Sequence, residues 1–208
     1  MTKNDYRIEK AITDEDFERV WRFRYEAFRR VDAIEQNEDQ LFRDKWEHAA
    51  NVSSYLLYHD NAPAPIGTIR ASVYSEDFGW MPTPGAETFS DVIREKLGPN
   101  TSYVESSRFA MAELEGRSLM RAHLYMFRAL TMNAIEHRCD WVITAIHPKY
   151  LAYYQKTMGM KQLSDERDFS EYTFKHILIG SEFNQQTLEF SCKVNPHFTE
   201  LLKEMAES

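Results

Sequence analysis

The chain has 208 residues, 43% of them apolar and 13% aromatic, which is enough for one domain with a sizeable core. Its Gly and Pro, seven of each, are too sparse for a collagen-like, linker-rich or disordered chain. The net charge of −8 is ill suited to a phosphate backbone, so no nucleic-acid partner is expected. No apolar run reaches the roughly 18 residues of a membrane-spanning helix, and the polar N-terminus lacks a signal-type apolar stretch. The two cysteines, Cys139 and Cys192, have neither disulfide-framework nor zinc spacing. A cytoplasmic protein is expected.

Along the chain, Thr13-Asp-Glu-Asp16 is a capping signature, and Phe17, Val20, Trp21, Arg24 and Phe28 follow at helical spacing. They predict a helix over 14–30. The acidic stretch from Val31 to His48 reads as a loop with short helical turns. Strand-like runs over 54–58 and 66–74 flank a Pro-rich turn and make a hairpin. A short helix over 89–97, ended by Gly98-Pro99, precedes a strand over 102–111. A long amphipathic helix follows over 118–138, with Met120, Leu124, Phe127, Thr131 and Ala134 on one face and Arg121, Tyr125, Arg128 and Glu136 on another. The strand 140–146 runs into a helix with Pro148 in its first turn and Gly159 as its stop. Strands over 172–179 and 187–194 and a short C-terminal helix complete an α/β (α+β) order, a mixed sheet flanked by helices in a single domain over 1–208.

Several chemistries lack their motifs. There is no G-x-G-x-x-G, no P-loop and no G-x-S-x-G, and the seven histidines never take metal-ligand spacing, so no metal is expected. The most informative stretch is Tyr103-Val-Glu105-Ser-Ser-Arg108-Phe-Ala-Met111. On a regular strand Glu105 and Arg108 point to opposite faces. A bulge would bring them to one side and turn backbone N–H groups out of the ladder, available to a developing oxyanion. From Arg117 to Lys149 five basic residues stand against two acidic ones, a local patch suited to a small acidic partner.

The E-x-S-R-F pattern of Glu105–Phe109 resembles the corresponding strand of the acyl-homoserine-lactone synthases and N-acyl amino acid synthases, two branches of the GNAT N-acyltransferase superfamily that use acyl-carrier protein. Arg24-Tyr-Glu-Ala-Phe28 resembles their R-x-x-x-F, Asp44-Lys-Trp-Glu47 their D-x-x-D, and Ile66-Gly-Thr-Ile-Arg70 their G-x-x-R strand. His147–Met160, with Tyr154 and Gly159, resembles the GNAT helix N-x-x-x-x-x-x-Y-x-x-x-x-G-F. The resemblance implies a GNAT-like sheet over 51–194, a substrate-covering cap over 1–50 and a terminal helix over 195–208. Val31-Asp-Ala-Ile34 stands where the lactone synthases carry the Trp that helps hold S-adenosylmethionine, which favours another acceptor. The GNAT pyrophosphate loop would fall on Glu113–Ser118, and only Gly116 fits; its two glutamates disfavour a coenzyme A tail more than the single phosphodiester of a carrier protein.

The implied reaction is aminolysis of a fatty acyl thioester by a small amino-acid-like amine, with no tightly bound cofactor. Acyl-carrier protein is the expected donor and partner, ahead of acyl-CoA. Glu105 would take the amine proton, Tyr154 would return one to the thiolate, and Arg108 with Arg24 would hold the acceptor carboxylate or order the cap. Phe28, Asp44, Arg70, Phe109 and Met111 complete the expected substrate site, with Asp44 and Arg70 tying the cap to the sheet and the amides near Phe109–Met111 meeting the oxyanion. Gly116, Arg117, Arg121 and Arg128 form the expected donor site. The alternatives are a homoserine-lactone synthase using S-adenosylmethionine, an acetyl-CoA-dependent GNAT enzyme, and a non-catalytic acyl- or carrier-protein-binding module.

Overall fold

A computed structural model of the chain describes residues 6–59, 62–114, 116–169, 172–185 and 188–189. Thr13 starts the first helix as its sequence context dictates: its hydroxyl accepts the Asp16 N–H at 3.2 Å, and the Asp16 carboxylate accepts the Thr13 N–H at 3.0 Å. This capping box opens α1 (Asp14–Arg30), whose acidic first turn and basic last turn complement its dipole. Next, β2 (Val52–His59) and β3 (Pro65–Tyr74) form the expected hairpin. After α2 (Ala86–Leu97), which starts three residues earlier than its apolar pattern indicates, β4 (Tyr103–Met111) pairs antiparallel with β3. The crossover helix α3 (Gly116–Glu136) then makes β4 and β5 (Trp141–Ile146) parallel. A turn at Pro148–Tyr150 leads into α4 (Leu151–Met158), stopped by Gly159 at φ 65°.

Three differences from the sequence reading have clear causes. Tyr6–Lys10 (β1) is not part of the cap but an edge strand on β2, stapled to it in antiparallel register by backbone pairing that its charged, short segment does not advertise. The aromatic run Tyr172–His176 folds into turns and isolated bridges, so β7 (Ile177–Glu182) begins later than expected and pairs with β5 and the two-residue β6 (Lys161–Gln162). Of the strand expected over 187–194, Leu188 and Glu189 are helical, with the Leu188 N–H on the Asn184 carbonyl at 3.0 Å. The rest of that stretch, and the helix expected over 195–208, lie outside the described residues.

The seven-stranded sheet runs β1-β2-β3-β4-β5-β7-β6. Its faces carry separate cores. Leu57, Ile69, Val73, Val104, Ile146 and Ile179 pack against α3 through Met126, Phe127 and Leu130. On the opposite face Tyr103, Ile143 and Leu178 meet Phe89, Val92 and Ile93 of α2. Tyr125, expected on the polar side of α3, is buried against the Tyr6 ring at 5.2 Å because β1 extends the sheet beneath it. Among the described residues no helix is long and apolar enough to cross a membrane.

Candidate active site

The site follows from one irregularity. Between the pairs Arg70↔Ser107 and Thr68↔Ala110, β3 contributes a single residue, Ile69, while β4 contributes two, Arg108 and Phe109. This is the bulge that Glu105 and Arg108 require, and Arg108 absorbs it at φ 54°, a left-handed conformation that a non-glycine residue adopts only under tertiary constraint. Glu105, Ser107 and Arg108 therefore share the α1/α2 face. Phe109 and Met111 turn to the α3 face, where Phe109 stacks on Phe127 at 5.5 Å and Met111 fills space above Gly67, whose missing Cβ would stand 2.6 Å from the Met111 sulfur.

The same region loses its neighbour. Pairing of β4 with β5 ends at Ser106↔Thr144, yet β4 stays on β3 to Met111 and β5 stays on β7 to Ile146. The two parallel strands part, and a gap opens through the sheet beside the bulge.

A buried ionic network closes the α1/α2 side of that gap. Arg24, fully buried on α1, donates Nη1 to both oxygens of Glu47 at 2.8 and 2.9 Å and Nη2 to Ser54 Oγ at 2.9 Å. Arg70 donates to Asp44 at 2.8 Å, Glu47 at 3.1 Å and Ser107 Oγ at 2.9 Å. Arg108 reaches the other Asp44 oxygen at 2.6 Å and places its guanidinium carbon over the Phe42 ring, 3.9 Å from the centroid. Asp44 and Glu47 thus tie the loop after α1 onto the sheet. Burial would raise the pKa of both carboxylates, but the adjacent arginines more than offset it, so both are held below their ordinary range. Burial also lowers the Arg24 pKa to about 10, which leaves it charged at neutral pH. Three guanidinium groups against two carboxylates leave one positive charge in excess.

Above the network lies a cavity of about 300 Å³ lined by charged groups (Asp44, Arg70, Arg108) and by Trp46, Phe169 and Tyr172. Lys45 and Glu87, ion-paired to each other, also line it. Glu105 stands one pleat behind Ser107, almost fully buried, with its oxygens 3.0 and 2.8 Å from the Gly85 N–H just ahead of α2. Burial raises its pKa, and hydrogen bonds from Thr83 and Gly85 only partly oppose this. Gly85 is small for a reason: a Cβ there would sit 2.8 Å from Glu105 Oε2.

The remaining expected residues are spread more widely. Phe28 is half-buried and packs edge-on against Phe42 and Tyr172. Tyr154 is buried in the α3-side core, edge-on to Phe127, and burial pushes its phenol pKa up. Arg121 is exposed and Arg128 half-buried on α3. Gly116 and Arg117 form the first turn of that helix, and what was expected of their side chains lies outside the described residues. Sequence reasoning missed Tyr172 and Phe169, which reach the cavity from loops with no periodic signal, and Phe42, which is buried beneath Arg108. Ser107 and Glu47 were legible, since each sits inside a motif that already held a candidate. Among the described residues no cluster of three or more metal-ligating side chains occurs.

The family described as N-acyl amino acid synthase FeeM matches residues 19–182 of the chain. No curated protein matches it by sequence. Among solved structures, FeeM, an N-acyl amino acid synthase from uncultured soil microbes, superposes with a TM-score of 0.71 at 12% identity, covering 91% of this chain and 96% of its own. The AHL synthase LasI gives 0.66 at 16%, covering 89% and 92%. BjaI, a CoA-dependent acyl-homoserine lactone synthase solved with MTA, gives 0.62 at 13%, covering 90% and 88%. The fold is thus GNAT-like.

Proposed function

The chain belongs to the N-acyl amino acid synthase FeeM family and is an N-acyltransferase; from that premise we propose that it moves a fatty acyl group from an acyl-carrier-protein thioester to the amine of an amino acid. The observation that carries this reading is the parting of β4 from β5 beside a cavity with surplus positive charge. An acceptor amino acid brings a carboxylate, which the field of Arg70 and Arg108 attracts, while its side chain meets Trp46, Phe169 and Tyr172. Arg24, with both its terminal nitrogens committed to Glu47 and Ser54, anchors the cap.

An amine attacks only after losing a proton, and Glu105 is proposed as the acceptor of that proton. Its burial makes it the more basic carboxyl beside the gap, whereas Asp44 is held strongly acidic. The thioester carbonyl occupies the gap, where β4 amides around Phe109–Met111 that β5 no longer pairs meet the oxyanion. The acyl chain follows the α3 face past Phe109 and Met111, and the carrier protein docks on the Arg121–Arg128 side of α3.

Incubation with acyl-carrier protein, acyl-CoA, pooled amino acids and S-adenosylmethionine, followed by mass spectrometry, tests the reading. The expected product is an N-acyl amino acid formed from the carrier-protein donor. An acyl-homoserine lactone would overturn the acceptor, equal rates from coenzyme A would overturn the donor, and no amide from any donor would overturn the activity. Reversing Arg121 and Arg128 to Glu should weaken the carrier-protein donor about tenfold or more and leave the coenzyme A donor nearly unaffected, in proportion to the charge contacts removed. Equal losses would place docking elsewhere.

A further inference from the structure

The reaction also needs a proton for the departing thiolate, and two consecutive tyrosines on α4 could supply it. The family pattern points at Tyr154, whose ring is buried in the core against Phe127 at 6.0 Å. Tyr153 lies differently. It is half-buried, and its hydroxyl is 3.2 Å from Nδ1 of His123 on α3. The His123 ring in turn stands edge-on to Phe109 at 4.9 Å, and Phe109 is the bulge residue at which β4 has left β5. On the other side of the gap, β5 leads through Pro148–Tyr150 directly into the helix that carries Tyr153. The His123–Tyr153 pair therefore lies on the α3 side of the sheet, next to the residue at which the strands part. A thioester whose carbonyl lies in the gap and whose acyl carbon is attacked from the α1/α2 side presents its sulfur toward this pair.

We propose that Tyr153 is the general acid for the leaving thiolate and that His123 is its positioning residue. This rests on the acyltransfer reading above. The amine nitrogen, already relieved of one proton by Glu105, forms the new bond to the acyl carbon and loses its second proton to solvent, and the carbon–sulfur bond breaks with its electron pair going to sulfur. The thiolate takes the Tyr153 phenolic proton. His123 donates Nδ1–H to the phenolic oxygen, which aims the hydroxyl hydrogen at the sulfur and stabilises the transient phenolate until solvent reprotonates it. Burial lowers the His123 pKa to about 4 and keeps the imidazole neutral, and in the Nδ1–H tautomer its single N–H is the one directed at Tyr153.

Leaving-group dependence tests this. Alkyl thioesters release a basic thiolate that needs the acid, whereas thiophenyl esters release a weakly basic one that does not. With the alkyl donor, Tyr153→Phe should slow turnover about 10²-fold or more, and with the thiophenyl donor it should stay within about threefold of wild type. His123→Phe should show the same pattern more weakly, and His123→Gln, which keeps a donor, should recover much of the loss. Tyr154→Phe should slow both donors alike or neither. Equal losses of Tyr153→Phe on both donors, or a donor-dependent loss that follows Tyr154→Phe instead, would overturn the assignment. Wild-type protein that forms no amide from either donor would overturn the acyltransfer reading itself, a distinct outcome.

Discussion

The two faces of β4 contrast sharply within nine residues. One face presents Glu105, Ser107 and Arg108 to a dense array of arginines and carboxylates; the other presents Val104, Phe109 and Met111 to rings and thioethers, with a neutral His–Tyr pair at the gap. The ionic face is rigid because its charges are held by partners from α1, the following loop, β3 and β4, so losing one member weakens the hold on the others. The aromatic face has no net charge to satisfy and tolerates change of shape. This division matches what the two proposed substrates would bring: a small charged acceptor on one side, and an apolar chain on a neutral thioester on the other.

The largest expected effect lies at the centre of the ionic face. Arg24→Met removes two of the three hydrogen bonds donated to the buried Glu47 carboxylate, leaving it to Arg70, and should cost about 3 kcal/mol in a denaturant titration. A loss under about 1 kcal/mol would mean that the network is not the anchor of the cap. Next, Glu105→Gln should cut turnover by about 10²-fold or more while leaving the melting temperature nearly unchanged, because an amide oxygen still accepts the Gly85 N–H. Turnover near wild type across pH would remove Glu105 from the proton-transfer role.

Gly85→Ala sharpens the same point without touching the carboxyl. The Gly85 backbone is ordinary for alanine, at φ −66° and ψ −25°, so the strain falls on Glu105, which the new Cβ must displace. A stability loss of about 1–3 kcal/mol with a disproportionate fall in turnover is expected; a crystal structure of the variant with Glu105 unmoved would refute the argument. The smallest effect is the acid response. Asp44 and Glu47 titrate lower in the folded chain than unfolded, so their stabilisation is complete above the ordinary carboxylate pKa of about 4 and drains away as pH falls below it. Melting temperature should fall from pH 5 toward 3, and less steeply in Arg24→Met. A flat wild-type profile would contradict the charged network.

Much of this site was legible because its parts are local. The Thr13 cap, the hairpin, the stop at Gly159 and the E-x-S-R-F strand are each decided by residues within a few positions of one another. The bulge was legible too, since Glu105 and Arg108 cannot share a face without one. Which tyrosine meets His123 was not, because Tyr153 and Tyr154 are neighbours with identical chemistry, and only the packing of α4 against α3 turns one toward His123 and the other against Phe127. The aromatic wall was hidden for a related reason: Trp46 shares the cavity with Phe169 and Tyr172, and Phe42 packs on Tyr172, across more than a hundred positions.

By itself, the sequence determined the element order from α1 to α4, since hydrophobic period and caps are short-range properties, and the resemblance of its motifs to known synthases pointed to the GNAT-like class and to the charged residues that could serve acyl transfer. Tertiary structure alone decided that β1 joins the sheet, that β4 and β5 separate after Ser106, and that three arginines share two carboxylates. Those outcomes depend on long-range backbone pairing and on the need to satisfy every buried charge, conditions that arise only when distant segments meet.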